Sequence, residues 1–151
     1  MNHVKAHGAL YNMAARDRAL ADVIANAVFN LDPKLILFAP SESQLDYAAT
    51  ELGLATASEV FADRNYLSDG SLVPRSRDDA FVHDPIEAAE RIIRMLIEGK
   101  VQSVDGADVP ILASTVCVHG DNPEAVAFVR KLRERLEGED VMIAAPSPIP
   151  L

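Results

Sequence analysis

Two histidines that are each followed by a glycine are the residues of this sequence best suited to carry chemistry. They are His7, in the segment KAHGALYN, and His119, in the segment CVHGDNP. An imidazole ring exchanges a proton near neutral pH, so it can act as an acid or base or bind a divalent metal. Spacing alone favours an ordinary polar N-terminal segment for the first, and a strand-end histidine with no catalytic role stays open for the second.

Charged and phenolic side chains near these histidines complete the candidate set. Lys5 could neutralise a substrate carboxylate, and Tyr11 adds a phenol in the same segment. Asp63 could orient a histidine or accept a proton, and Arg64 could form a forked pair with a carboxylate. Asp121 stands where it could serve the site or cap a helix. An exposed Asp63–Arg64 ion pair is the structural alternative for those two residues.

Alternating helices and strands are predicted to position these candidates. Apolar residues three and four apart predict helices, short apolar runs predict strands, and an aperiodic stretch predicts a long loop. The helices are predicted at 14–31, from a cap at Ser41 or Ser43 to about 52, at 84–98 and at 124–136. The strands are predicted at 35–39, 56–61, 114–118 and 141–145, a hairpin at 101–109 and the loop at 62–82. This alternation indicates an α/β fold with parallel strands, whose carboxyl ends gather active-site loops.

The composition indicates one ordinary domain over residues 1–151 and argues against two classes of partner. The net charge of -9 repels phosphate backbones and anionic lipids, so we expect neither nucleic acid nor a membrane as a partner. The sequence has no Walker-type lysine and no phosphate-binding glycine loop, so nucleotide binding by this chain alone is not supported. The single cysteine, Cys117, and the lack of an apolar leader are typical of a cytoplasmic protein.

Four segments, taken together, resemble the LamB/YcsF family, the A component of bacterial 5-oxoprolinase. They are VKAHGALYN, VFADRNY, DGSLVPR and VCVHGDNP, and they occur in the family's order and at its spacing. The resemblance implies a partial (β/α) barrel of the glycoside hydrolase/deacetylase type. It also implies ATP-dependent opening of a small-molecule substrate, the lactam 5-oxoproline, to glutamate. The reaction would take place in a complex with subunits B and C, and this complex would consume the ATP.

Site roles follow from the same resemblance, position by position. It implies that His7 and His119 are metal-site or acid/base residues, with His7 as the candidate ligand of a divalent metal. The other matching polar positions are taken as one further catalytic residue, Asp63, and as the substrate-binding residues Lys5, Arg64, Tyr11 and Asp121.

Two departures from the family pattern leave other functions open. Ala6 stands where the family usually has proline, and the family carries a further N-terminal segment that supplies the first barrel strands. The chain therefore resembles the C-terminal part of a family member, and the exposed sheet edge predicts a homo-oligomer or a partner-bound chain. The alternatives are a metal-dependent carbohydrate hydrolase or deacetylase, and a truncated interaction protein without catalysis.

Overall fold

The computed structural model describes residues 1–120 and 124–147, in which strands alternate with helices. In chain order the elements are β1 (His3–Lys5), α1 (Ala9–Ala14), α2 (Arg18–Leu31), β2 (Ile36–Pro40), α3 (Gln44–Glu51), β3 (Ala55–Phe61), α4 (Pro85–Glu98), β4 (Lys100–Gln102), β5 (Asp108–Pro110), β6 (Thr115–Cys117) and α5 (Ala125–Glu137). The predicted α/β class is confirmed by this order and by the parallel strand pairs described next.

The main sheet has the strand order β1-β2-β3-β6. β1 pairs with β2 in parallel, with Val4 opposite Leu37, and β2 pairs with β3 in parallel, with Phe38 opposite Ala57. Four of the five residues of β2 are buried, as expected for a central parallel strand covered on both faces. The loop after β1 carries His7, and the end of β3 leads directly to Asp63.

The chain divides into two compact units, each with its own apolar core. Of the described residues, the first unit contains 1–59 and 145–147, and its core includes Leu37 and Leu45. The second contains residues 60–120 and 124–144, and its core includes Val60, Ile92 and Leu132. In the second unit α4 and α5 pack against each other, and both bury their apolar stripes in this core.

The helix boundaries follow local capping signals. Ser43 and Asp84 cap α3 and α4 by accepting hydrogen bonds from backbone N–H groups, and Gly99 ends α4 in the left-handed conformation. The helix predicted at 14–31 is wrong at its start, since two helices lie there. Asp17 separates them because its side chain accepts a hydrogen bond from the Leu20 N–H and so begins α2 anew.

Two further strand predictions need correction. Residues 141–145 form no strand, and Met142 and Ile143 lie exposed. This apolar segment therefore does not pair with any strand of the described sheets. The apolar run at 114–118 is typical of a strand covered on both faces, and β6 is present there, but its residues are only half-buried. The hairpin is confirmed, with β4 and β5 antiparallel, and the loop at 62–82 contains only the isolated bridges Arg64–Phe81 and Tyr66–Leu72.

Candidate active site

Asp63 and His119 form a close pair in the second unit. Asp63 follows β3 and His119 follows β6, so the two loops bring together residues that are far apart in sequence. The Asp63 Oδ2 accepts a hydrogen bond from the His119 backbone N–H at 3.0 Å and lies 2.9 Å from the ring Nδ1. The His119 ring also stacks on Phe61, with centroids 5.8 Å apart. Asp63 therefore holds the backbone N–H and the ring edge of His119, and Phe61 packs against the face of its ring.

This pairing decides which ring nitrogen of His119 is available for chemistry. A carboxylate beside Nδ1 favours the tautomer that carries its proton there, and Nδ1–H then donates to Asp63. The remaining nitrogen, Nε2, keeps its lone pair and can accept a proton. A carboxylate-oriented imidazole of this kind is an arrangement suited to general base catalysis.

A pocket of about 590 Å³ opens beside this pair. Its volume falls within the range of small-molecule sites, roughly 300 to 1,000 Å³. Phe81 and Phe128 contribute apolar surface, while Arg75 and Lys131 contribute positive charge. The wall also includes His83 and Glu124, so a ligand with both apolar and polar groups would fit it.

Lys5 and Tyr11 lie together in the first unit, around a buried carboxylate. The Lys5 Nζ donates to Glu59 Oε1 at 2.7 Å and lies 5.2 Å from the centre of the Tyr11 ring. Glu59 is only 4% exposed, and its second oxygen, Oε2, accepts no hydrogen bond from any residue in the described ranges. The ammonium of Lys5 is therefore the cation that compensates this buried charge.

Arg64 is buried inside the long loop. Its guanidinium donates to the Ala80 carbonyl at 3.2 Å and to the Val73 carbonyl at 2.5 Å, and it lies over the Phe81 ring. Burial, and then the positive charge of Arg75, lower the pKa of this guanidinium from its ordinary value. These contacts hold the loop in shape, and the expected role of Arg64 as a substrate ligand stays a prediction.

His7 lies exposed in the loop between β1 and α1, in the first unit. Gly8, beside it, has a positive φ of 60°, so the turn that presents the histidine uses a backbone conformation that favours glycine. Asp121 lies outside the described residues. Across residues 1–120 and 124–147, no group of three His, Cys, Asp or Glu side chains could hold a metal, and the expected role of His7 as a metal ligand stays a prediction.

Sequence reasoning missed two charged residues in these surroundings. Glu59 is a charged residue in the otherwise uncharged strand ATASEVF, a departure that could have marked it. Lys131 gives no such signal, because basic and acidic residues alternate along α5 and any one of them could belong to a solvated face. Only its place on the pocket wall distinguishes it.

Comparison with known proteins decides the family. The family model described as LamB/YcsF matches residues 1–150. The chain belongs to the LamB/YcsF family. Among similar proteins, the A component of 5-oxoprolinase from Geobacillus kaustophilus is 53% identical over 146 residues, covering 97% of this chain and 57% of that protein. The corresponding protein of Oceanobacillus iheyensis is 51% identical over 141 residues, covering 93% of this chain and 55% of that protein.

A solved LamB/YcsF-like structure confirms the fold. The lactam utilization protein of Thermus thermophilus superposes with a TM-score of 0.87 at 43% sequence identity, covering 96% of this chain and 57% of that chain. The predicted α/β class of the partial-barrel type is thereby confirmed. This chain spans somewhat more than half the length of the relatives it matches. None of the helices in the described ranges is long and apolar enough to cross a bilayer.

Proposed function

We propose that this chain belongs to the A component of an ATP-dependent 5-oxoprolinase, which hydrolyses 5-oxoproline to glutamate together with subunits B and C. The family match and the names of the relatives support the activity. The observation in this chain that carries the proposal is the Asp63–His119 pair at the wall of a pocket of small-molecule size.

The pair supplies the proton transfer that lactam hydrolysis requires. Water must bond to the carbonyl carbon while the ring C–N bond breaks, so one proton leaves the water and one reaches the ring nitrogen. His119 Nε2 can take the first proton and return it to the nitrogen, and Asp63 holds the imidazole and stabilises its protonated form. The ATP consumed by the complex offsets the low reactivity of an unstrained amide.

The test is ATP-dependent glutamate release by this chain mixed with subunits B and C. His119→Asn and Asp63→Asn should each lower turnover by about 10² to 10⁴-fold, the usual contribution of a positioned acid or base. Asp78→Asn is the matched control, since Asp78 is exposed in the same loop but does not line the pocket. The Asp63→Asn variant should also shift the His119 tautomer seen by ¹⁵N NMR.

Three outcomes would contradict the proposal. A stable complex without glutamate release would favour the non-catalytic interaction protein. Full turnover by the His119→Asn variant would move the chemistry away from this pair. Release of acetate from an acetylated sugar, dependent on an added divalent metal, would instead favour the deacetylase alternative.

A further inference from the structure

The cations first expected to hold a substrate carboxylate are already engaged inside the protein. Lys5 donates to the buried Glu59, and the guanidinium of Arg64 donates to two loop carbonyls. Moving either cation to a ligand would leave a buried carboxylate or buried carbonyls without their donors, which is costly. An anionic substrate would bind at lower cost to a cation without such a task.

Lys131 is a cation of that kind. It lies on the exposed side of α5 and lines the pocket beside the Asp63–His119 pair. Further along the helix, Arg133 pairs with Glu137 and Arg135 with Glu139, four residues on in each case. Within the part of the chain that the structure describes, no carboxylate pairs with Lys131.

Arg75 adds a second positive charge to the lining of the same pocket. It comes from the long loop, and its guanidinium carbon lies 5.6 Å from the centre of the Phe81 ring. Stacking on an aromatic face limits the conformations of this long side chain, so less freedom is lost when it meets an anion. Phe81 itself lines the pocket and offers an apolar surface to the carbon atoms of a ligand.

The charged residues that line the pocket argue against a highly charged ligand. Arg75 and Lys131 are positive, while Asp63 and Glu124 are negative, so the pocket has no surplus of positive charge for a polyphosphate. Asp63 is committed to His119. A ligand with one carboxylate and a separate N–H group would match the cations and the carboxylates that line this pocket, and 5-oxoproline has both groups.

We propose that Lys131 and Arg75 form the carboxylate subsite of this pocket and hold a small lactam acid with its ring against Phe81 and its amide towards His119. This inference rests on the proposed function and adds the residues that select the substrate. It assigns the specificity for a carboxylate to α5 and the long loop rather than to Lys5 or Arg64.

The experiment compares two ligands and two helix variants by calorimetric titration of the chain. The ligands are 5-oxoproline and 2-pyrrolidinone, the same lactam without the carboxylate. Lys131→Met removes the charge and keeps the apolar stem, and Arg130→Met is the matched control because Arg130 is an exposed neighbour that does not line the pocket. Both positions are exposed on a helix, so both variants should fold, and circular dichroism verifies this.

We expect 5-oxoproline to bind more tightly than 2-pyrrolidinone. Lys131→Met should weaken 5-oxoproline binding about tenfold, a fair effect for one charge-assisted contact at a partly exposed site, and should leave 2-pyrrolidinone unchanged. Arg130→Met should change neither. Arg75→Gln should reproduce the selective loss, and NMR shifts on addition of 5-oxoproline should include Val118 and Phe128 of the pocket.

Several results would overturn the subsite. They are the absence of 5-oxoproline binding, equal losses in the two helix variants, and inorganic phosphate binding more tightly than 5-oxoproline. The subsite and the proposed function fail separately. Selective binding without glutamate release in the complex would leave the subsite and remove the function, whereas turnover with an unchanged KM in Lys131→Met would leave the function and remove the subsite.

Discussion

Replacing Lys5 by methionine tests how strongly the first unit depends on its buried ion pair. The substitution keeps the apolar stem and removes the ammonium, so Glu59 loses the partner 2.7 Å from its Oε1. Glu59 is 4% exposed and its other oxygen accepts no hydrogen bond from the described residues, so nothing else in those ranges compensates its charge. The folded state should therefore carry an isolated buried carboxylate.

The expected cost is about 2 to 3 kcal/mol. Removing one partner of a fully buried ion pair typically costs about 3 to 5 kcal/mol. The Lys5 side chain is 27% exposed, so water reaches this pair in part and the value should fall below that range. With a urea dependence of about 1 to 3 kcal/mol per molar, the unfolding midpoint should fall by about 1 M.

The assay is urea unfolding followed by circular dichroism, with Lys34→Met as the control because Lys34 is exposed. The double variant Lys5→Met/Glu59→Gln removes both charges and should recover most of the lost stability. A midpoint for Lys5→Met equal to that of Lys34→Met would refute the reasoning. So would a double variant no more stable than Lys5→Met, since the penalty would then not come from the unpaired carboxylate.

Three smaller perturbations address local contacts within the second unit. Gly99→Ala should lower the free energy of unfolding by about 1 to 2 kcal/mol, because Gly99 has a φ of 65°; a thermal midpoint equal to wild type would contradict this. Asp84→Ala should cost about 1 kcal/mol, because the carboxylate accepts from the Ile86 N–H, and Asp84→Asn should retain the cap; equal losses in both would exclude capping. Hydrogen bonds from Lys100 and then from Arg94 lower the pKa of Asp108. The ionised Asp108 therefore contributes to the free energy of unfolding above its unfolded-state pKa of about 4, and this contribution is lost as pH falls through the lower folded-state pKa. The free energy of unfolding of the wild type should thus fall more steeply below about pH 4 than that of Asp108→Asn. Urea unfolding at a series of pH values measures this, and an equal decrease in the two proteins would contradict the lowered pKa.

The local features of the fold were readable from the sequence because their signals are local. In the sequence, Asp84 followed by Pro85 indicates the start of a helix, Gly99 indicates its end and Asp105-Gly106 indicates a hairpin, and the structure has α4 and the β4–β5 hairpin at these places. Such caps and turns depend on backbone groups a few residues away. The prediction of a strand at 141–145 is wrong because strand formation depends on contacts that are distant in sequence. The apolar composition of this segment is a weak signal, and a strand forms only where a neighbouring edge is available to pair with it.

The candidate chemistry divides in the same way. The sequence by itself determined the family and the residue types, since His119 and Asp63 lie in segments whose order and spacing resemble LamB/YcsF proteins. Their hydrogen bond joins residues 56 positions apart, and only the packing of β6 beside β3 brings them together. In the tertiary structure Lys5 is paired with Glu59 and the Arg64 guanidinium donates inside the loop, whereas Lys131 and Arg75 are among the residues that line the pocket. A sequence lists which charges exist, but burial and long-range contacts decide which of them must be satisfied internally and which can meet a ligand.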